Sequence, residues 1–158
     1  MKKIDMDLQT YLARRPPGYS DTVALGGCLR SMVEAGLVRL PLPGSGHTLQ
    51  RWQHLAYVVG HDLGLCKLYE GHTDALAIMA QLDASPLPGS TWGMWASEPP
   101  NARVRVSQQG PRVTLDGRKA WCSGAKGLSH ALLTAWDEQD RQQGGHVARA
   151  CADFQHTL

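Results

Sequence analysis

Trp95–Ala125 reads WASEPPNARVRVSQQGPRVTLDGRKAWCSGA, and its pattern sets the fold class of the chain. The run Ala102–Ser107 (ARVRVS) alternates small or apolar with polar residues, the period-two pattern of a strand with one wet face. RVTLDG, RKAWCSG and HALLTAW follow as further short β runs, and TWGMWAS precedes them. Gln109-Gly110-Pro111 and Asp116-Gly117 supply turn chemistry between them; Asp-Gly is a favoured two-residue hairpin connection. Residues 91–136 therefore read as a short antiparallel β unit.

Upstream the periodicity changes to that of helices. Val23, Leu25, Leu29, Met32, Val33 and Leu37 fall near helical spacing, with Ser20 or Asp21 available as a cap and Gly36 as a terminator. Thr48 is the expected cap of a second helix carrying Leu49, Trp52, Leu55, Val58 and Val59. Leu65, Leu68, Tyr69, Ala75, Leu76, Met79 and Leu82 mark a third. Gly60, Gly64 and Gly71 weaken an isolated helix, so they are expected where helices approach one another or a ligand. A polar lead, 1–19, has room for a short helix that Arg14-Arg15-Pro16-Pro17 would stop. The whole reads as α+β: a polar lead (1–19), an N-terminal α-helical domain (20–90), a truncated antiparallel β-domain (91–136) and an irregular tail (137–158).

Composition narrows the function classes. Hydrophobic residues make up 42% and charged residues 19%, a globular balance, and the net charge is only +2. The basic residues form no run or aromatic ladder, which argues against nucleic acid. No apolar stretch reaches membrane-span length and the start lacks a signal-peptide core, so a cytoplasmic chain without membrane association is expected. Cys28, Cys66, Cys122 and Cys151 include no CxxC pair, and His146, Cys151 and His156 match no metal-ligand spacing; no metal site is expected. His54, His61 and His72 carry no partner at diagnostic spacing, and His72 reads as a packing or capping residue.

Two strings in order, WASEPP and LDGRKAWCSGA, resemble the flavin-facing strands of the acyl-CoA dehydrogenase family, and VEAGLVRLPLP and DLGLCKLYEGHTDAL resemble its N-terminal helices. The resemblance covers about residues 20–136. It implies FAD as cofactor, an acyl-CoA thioester as substrate and an electron-transfer flavoprotein as acceptor. It also implies that Ser123 donates toward flavin N5, that Trp121 packs on the isoalloxazine, and that Ser97 and the backbone around Ala96 meet the pyrimidine edge. Glu98 is expected to be a solvated strand end.

The chain departs from the family pattern at several points. Pro100-Asn101-Ala102-Arg103 replaces a Gly-rich turn toward the phosphates, and the link from Met79 to Trp92 is short. The segment beginning Gln142-Gln143-Gly144-Gly145 lacks strand alternation, which suggests a shifted frame or truncated gene. The family's C-terminal helical domain, which supplies the catalytic base, has no counterpart. No catalytic residue is therefore assigned, and three readings stay open. The chain is a truncated oxidoreductase inactive alone, or a binding subunit that docks on a complementary C-terminal chain, or a degenerate gene product. Homo-oligomerisation is a further implication of the resemblance.

Overall fold

The computed structural model describes residues 7–149, which form four helices and a five-stranded sheet. The helices come first. Helix α1 (Leu8–Ala13) starts where the Asp7 carboxylate accepts from Thr10 N, and it ends before Pro16. Helix α2 (Thr22–Glu34) is capped by Asp21, whose side chain accepts from Val23 N and Ala24 N, and Gly36 follows it at φ 76°. Helix α3 (Thr48–His61) departs from expectation: Thr48 is its first helical residue, and the preceding His47 makes no side-chain cap. Asp62 ends α3 and caps helix α4 (Leu63–Gln81) by accepting from Leu65 N. One extended residue therefore separates two helices.

The buried Arg51 clamps this pair. Its guanidinium donates to the Asp74 carboxylate at 2.7 Å and to Pro41 O at 3.2 Å, tying α3 to α4 and to the loop before α3. The Tyr69 hydroxyl adds a 2.7 Å bond to Leu37 O. Both satisfy carbonyls of a loop that two prolines keep out of regular structure.

Strands β1 (Trp92–Trp95), β2 (Val104–Gln109), β3 (Arg112–Gly117), β4 (His130–Trp136) and β5 (Gln142–Arg149) make a mixed sheet, not the antiparallel one expected. Trp92–Trp95 pairs in parallel with His130–Leu133, while β5 runs antiparallel along the other edge of β4. Near its end Trp136 meets Arg105 of β2 on one side and Gln142 on the other. Strands β1 and β2 thus take turns on one edge of β4, and the chain between them, 96–103, leaves the sheet. Parallel pairing requires a crossover connection. The chain from β1 to β4 supplies it through the β2–β3 hairpin and a loop.

Three further expectations are corrected. RKAWCSG is no strand: residues 118–129 form a chain of turns, because Lys119 and Cys122 are drawn inward while Trp121 takes φ 55°. Asp116-Gly117 lies within β3, and the hairpin turns instead at Gly110, where φ is 60°, and Pro111. Gln142–Arg149 is a strand despite its weak alternation, because the edge of β4 offers backbone pairing that asks little of side chains. His146 pairs in that strand, while Cys151 and His156 lie outside the described residues.

A shared core joins helices to sheet. Leu29, Met32, Leu65 and Tyr69 cluster with Trp95, Val104 and Leu133, and a second cluster places Ala75 and Met79 against Trp92 and Leu132. Leu29, Val33, Leu55, Leu68 and Leu76 all pack on that core. Other apolar residues are exposed, and among them Leu49, Trp52 and Val59 lie along one side of α3. Among the described residues no helix is long and apolar enough to cross a membrane, and no cluster of residues suited to a metal is present.

Candidate functional site

The four residues assigned by resemblance stand around one cleft. Ala96, Ser97, Trp121 and Ser123 line a cavity of about 200 Å³, together with Lys67, Leu68 and Gly71 of α4, Gly93–Trp95 of β1 and Leu128. Its floor is strand β1. Trp95 is buried, and its indole lies over Gly93, where a Cβ would come within 2.8 Å of the ring. One wall is α4 and the other is the 118–129 loop.

Close backbone packing sets that loop against the helices. A Cβ on Gly26 of α2 would sit 2.2 Å from Gly127 O, and one on Gly127 would sit 2.4 Å from Thr22 O. A Cβ on Gly124, at φ 78°, would press on Leu68 at 2.9 Å. These are the glycines that close contact requires. Gly60 faces open space, whereas Gly64 adjoins Leu25 and Gly71 adjoins the backbone of Met94 and borders the cleft.

At the lip the side chains are free to meet a ligand. Trp121 is 68% exposed, although its bulky side chain sits on left-handed backbone. Such a conformation persists only when its surroundings enforce it. Here Ser123 N bonds back to Trp121 O at 2.9 Å, and the Cys122 thiol is buried with its donor turned to Lys119 O at 3.3 Å. Burial pushes that thiol up to about 11, so Cys122 anchors the loop and is a poor nucleophile. Trp95 Nε1 donates to Ser123 O at 3.3 Å, fastening the loop to the floor. The Ser97 and Ser123 hydroxyls are exposed and bond to no described residue.

Glu98 is not the solvated strand end expected from the sequence. Its side chain is 13% exposed and pairs with Lys119, whose side chain is wholly buried. Thr134 Oγ1 donates to Glu98 Oε1 at 2.5 Å and Trp136 Nε1 to Oε2 at 2.8 Å. Lys119 Nζ also donates to Thr134 O at 3.0 Å and Thr134 Oγ1 at 2.7 Å. Thr134 is the β4 residue that pairs with neither neighbouring strand, so the ammonium fills a hole in the ladder. Burial by itself would raise the Glu98 carboxyl, but the donors of Lys119, Thr134 and Trp136 outweigh it and hold Glu98 below the usual carboxylate range. The Arg103 guanidinium lies 4.3 Å over the Trp136 ring.

The pair therefore fixes both lips at once. Glu98 adjoins Ser97 on the β1 side, and Lys119 stands two residues before Trp121 on the loop side. A buried Glu and a buried Lys at this spacing carry no sequence signal as a pair. Lys119 follows the exposed Arg118 and lies two residues before the exposed Trp121, so nothing local marks it as buried.

Chemically, the cleft offers two hydroxyl donors, an exposed aromatic face and an ammonium at Lys67, which already pairs with Glu70 at 2.8 Å. No carboxylate is among its lining residues. No family model matches the chain, and no curated protein or solved structure is significantly similar to it.

Proposed function

We propose that this cleft holds the ring system of a flavin, and that the chain is an acyl-CoA dehydrogenase-like flavoprotein unit whose cleft carries no catalytic carboxylate of its own. The observation that carries the reading is convergence. Ala96 and Ser97 follow strand β1, Trp121 and Ser123 lie in a loop, and all four border one cavity. That cavity suits the edge of a flat ring leaning on Trp121; a whole dinucleotide needs a larger surface than about 200 Å³ provides. Trp121 would stack on the ring, Ser123 would donate to its N5 edge, and Ser97 with the Ala96 backbone would meet its pyrimidine edge. Flavin, when bound, supplies hydride acceptance; the protein's share is orientation and tuning of the ring.

The cleft's lack of a carboxylate fits the rest of the proposal. Removing an acyl α-proton needs a base within hydrogen-bond reach of it, and no carboxylate is among the lining residues. A β-domain following an N-terminal helical domain, with FAD, an acyl-CoA thioester and an electron-transfer flavoprotein as its chemical partners, remains part of this reading.

Titration of the purified chain with FAD and with riboflavin tests it. Saturable fluorescence quenching by both, with a perturbed visible spectrum and loss of binding in Trp121→Ala and Ser123→Ala, is the expected result. A folded protein that leaves both spectra unchanged would remove the flavin reading. A second reading, a non-catalytic subunit docking on another chain, is favoured by one observation: Leu49, Trp52 and Val59 form an exposed apolar stripe on α3. Homo-oligomers would cover the same stripe, and sedimentation at several concentrations distinguishes self-association from a monomer.

A further inference from the structure

Among the described residues β2 is the only element packed along β3, and every residue of β3 except the half-buried Leu115 is exposed. No further strand takes up its outer edge. The register decides which backbone groups that edge presents. Gln109 and Arg112 face each other across the two-residue Gly110-Pro111 turn, and such a flanking pair exchanges its hydrogen bonds. Alternation then turns the backbone of Thr114 and Asp116 toward β2, and Arg118 N continues it with a 3.2 Å bond to Arg103 O. Val113 and Leu115 therefore aim their N–H and C=O groups outward, where another strand can pair with them.

The residues of β3 narrow which strand that can be. Arg-Val-Thr-Leu-Asp, residues 112–116, is its own antiparallel complement. About a two-fold axis at Thr114, Arg112 of one copy lies opposite Asp116 of the other, Val113 opposite Leu115, and Thr114 opposite itself. Val113 and Leu115 then exchange the outward hydrogen bonds. Arg112–Asp116 and Thr114–Thr114 become the closer pairs without backbone bonds, and pairs of opposite charge or of two threonines favour such positions. Neither Arg112 nor Asp116 has an ion-pair partner among the described residues, and Arg105, beside Asp116 on β2, is engaged with Asp140. Other alignments are worse. An axis at Leu115 sets Arg112 against Arg118, and an axis at Val113 asks for a hydrogen bond from Pro111, which has no N–H. Parallel pairing in register sets like charges side by side.

We propose that two copies of this chain join by antiparallel β3–β3 pairing centred on Thr114, which makes one continuous sheet across the dimer. The surface lies apart from the cleft and from the α3 stripe, so neither flavin binding nor α3 enters its test. Sedimentation of the full-length protein over a range of concentrations is compared with Asp116→Arg, with Arg112→Asp and with an equal mixture of the two variants. Each reversal alone places like charges opposite each other on both sides of the axis. In the mixture both pairs are of opposite charge again. Leu49→Glu, on the α3 stripe, is the control.

A concentration-dependent dimer below millimolar protein is expected, with Kd raised about tenfold or more in each reversal and recovered in the mixture. L49E should leave it unchanged. Thr114→Cys should form a disulfide between copies in oxidised glutathione, because paired Cα atoms at such a position lie about 4.5 Å apart. A wild-type monomer at millimolar protein would overturn the proposal. A dimer indifferent to both reversals, a mixture no tighter than the single variants, or a dimer that L49E abolishes would overturn it as well.

Discussion

Removing the Lys119 ammonium tests how much of the fold rests on the buried ion pair. In Lys119→Met the stem is replaced at similar length, while Glu98 loses its counter-charge and the Thr134 carbonyl loses a donor. Breaking one side of a buried pair typically destabilises by about 3–5 kcal/mol, because a charge is left uncompensated. Here Thr134 Oγ1 and Trp136 Nε1 still donate to Glu98, and that side chain keeps 13% exposure, so the lower end, about 3 kcal/mol, applies. Glu98→Gln leaves the wholly buried ammonium without its anion and is expected at the upper end, about 5 kcal/mol. The double variant E98Q/K119M removes both charges and should recover at least about 1.5 kcal/mol relative to the sum of the singles. Urea unfolding at neutral pH, read as the midpoint with an unchanged slope, measures all three. Arg105→Ala, which breaks an exposed pair with Asp140, is the surface comparison and should change stability by about 0.5 kcal/mol or less. Single variants that lose under about 1 kcal/mol, or strict additivity in the double, would refute the reasoning.

Acid should act on two groups in sequence. His72 is held at about 4 against an ordinary 6.5, so its contribution is full above 6.5 and disappears as pH falls toward 4. That amounts to about 3 kcal/mol, seen as a falling Tm in that interval. Glu98, lowered from its ordinary 4.5, contributes above that value and loses the contribution as pH falls through its folded pKa, so E98Q should flatten only the more acidic limb. Gly26→Ala should destabilise by about 1–3 kcal/mol in urea, since the new methyl group meets backbone that cannot rotate away. Trp121→Gly should leave stability unchanged or raise it by up to about 1 kcal/mol, through relief at φ 55°, while abolishing flavin quenching.

Helices and hairpin strands were legible because their signals are local. Asp21 before an apolar helical period and Gly36 after it specify α2 without reference to anything distant. Thr48 misled because a cap is defined by backbone geometry, and the helix starts one residue earlier than the residue type suggests. The mixed sheet was hidden for a different reason. Whether β1 pairs with β4 in parallel depends on the route of the intervening chain, and TWGMWAS carries no mark of direction. At the site, Ala96, Ser97, Trp121 and Ser123 were reached through resemblance, and they do share a cleft. Glu98, Lys119 and Thr134 escaped because an ion pair is a relation between positions; Glu98 alone looks like any charged residue beside a proline. Gly26 and Gly127 escaped likewise, since a glycine reads locally as a weak helix former or a turn.

That Gly26–Gly127 contact also bears on how the chain acquires its shape. The two residues lie about a hundred positions apart, and native contacts of such long sequence separation form slowly because a large loop must close first. Helices α2 and α4 can gather before residue 119 exists, but the loop wall of the cleft has no surface to settle on until they have done so. Assembly of the cleft is therefore expected late in folding. Until then, Trp95 and Leu68 lack the cover that the loop provides, and a ligand that engages both lips would act as a trap for the last step.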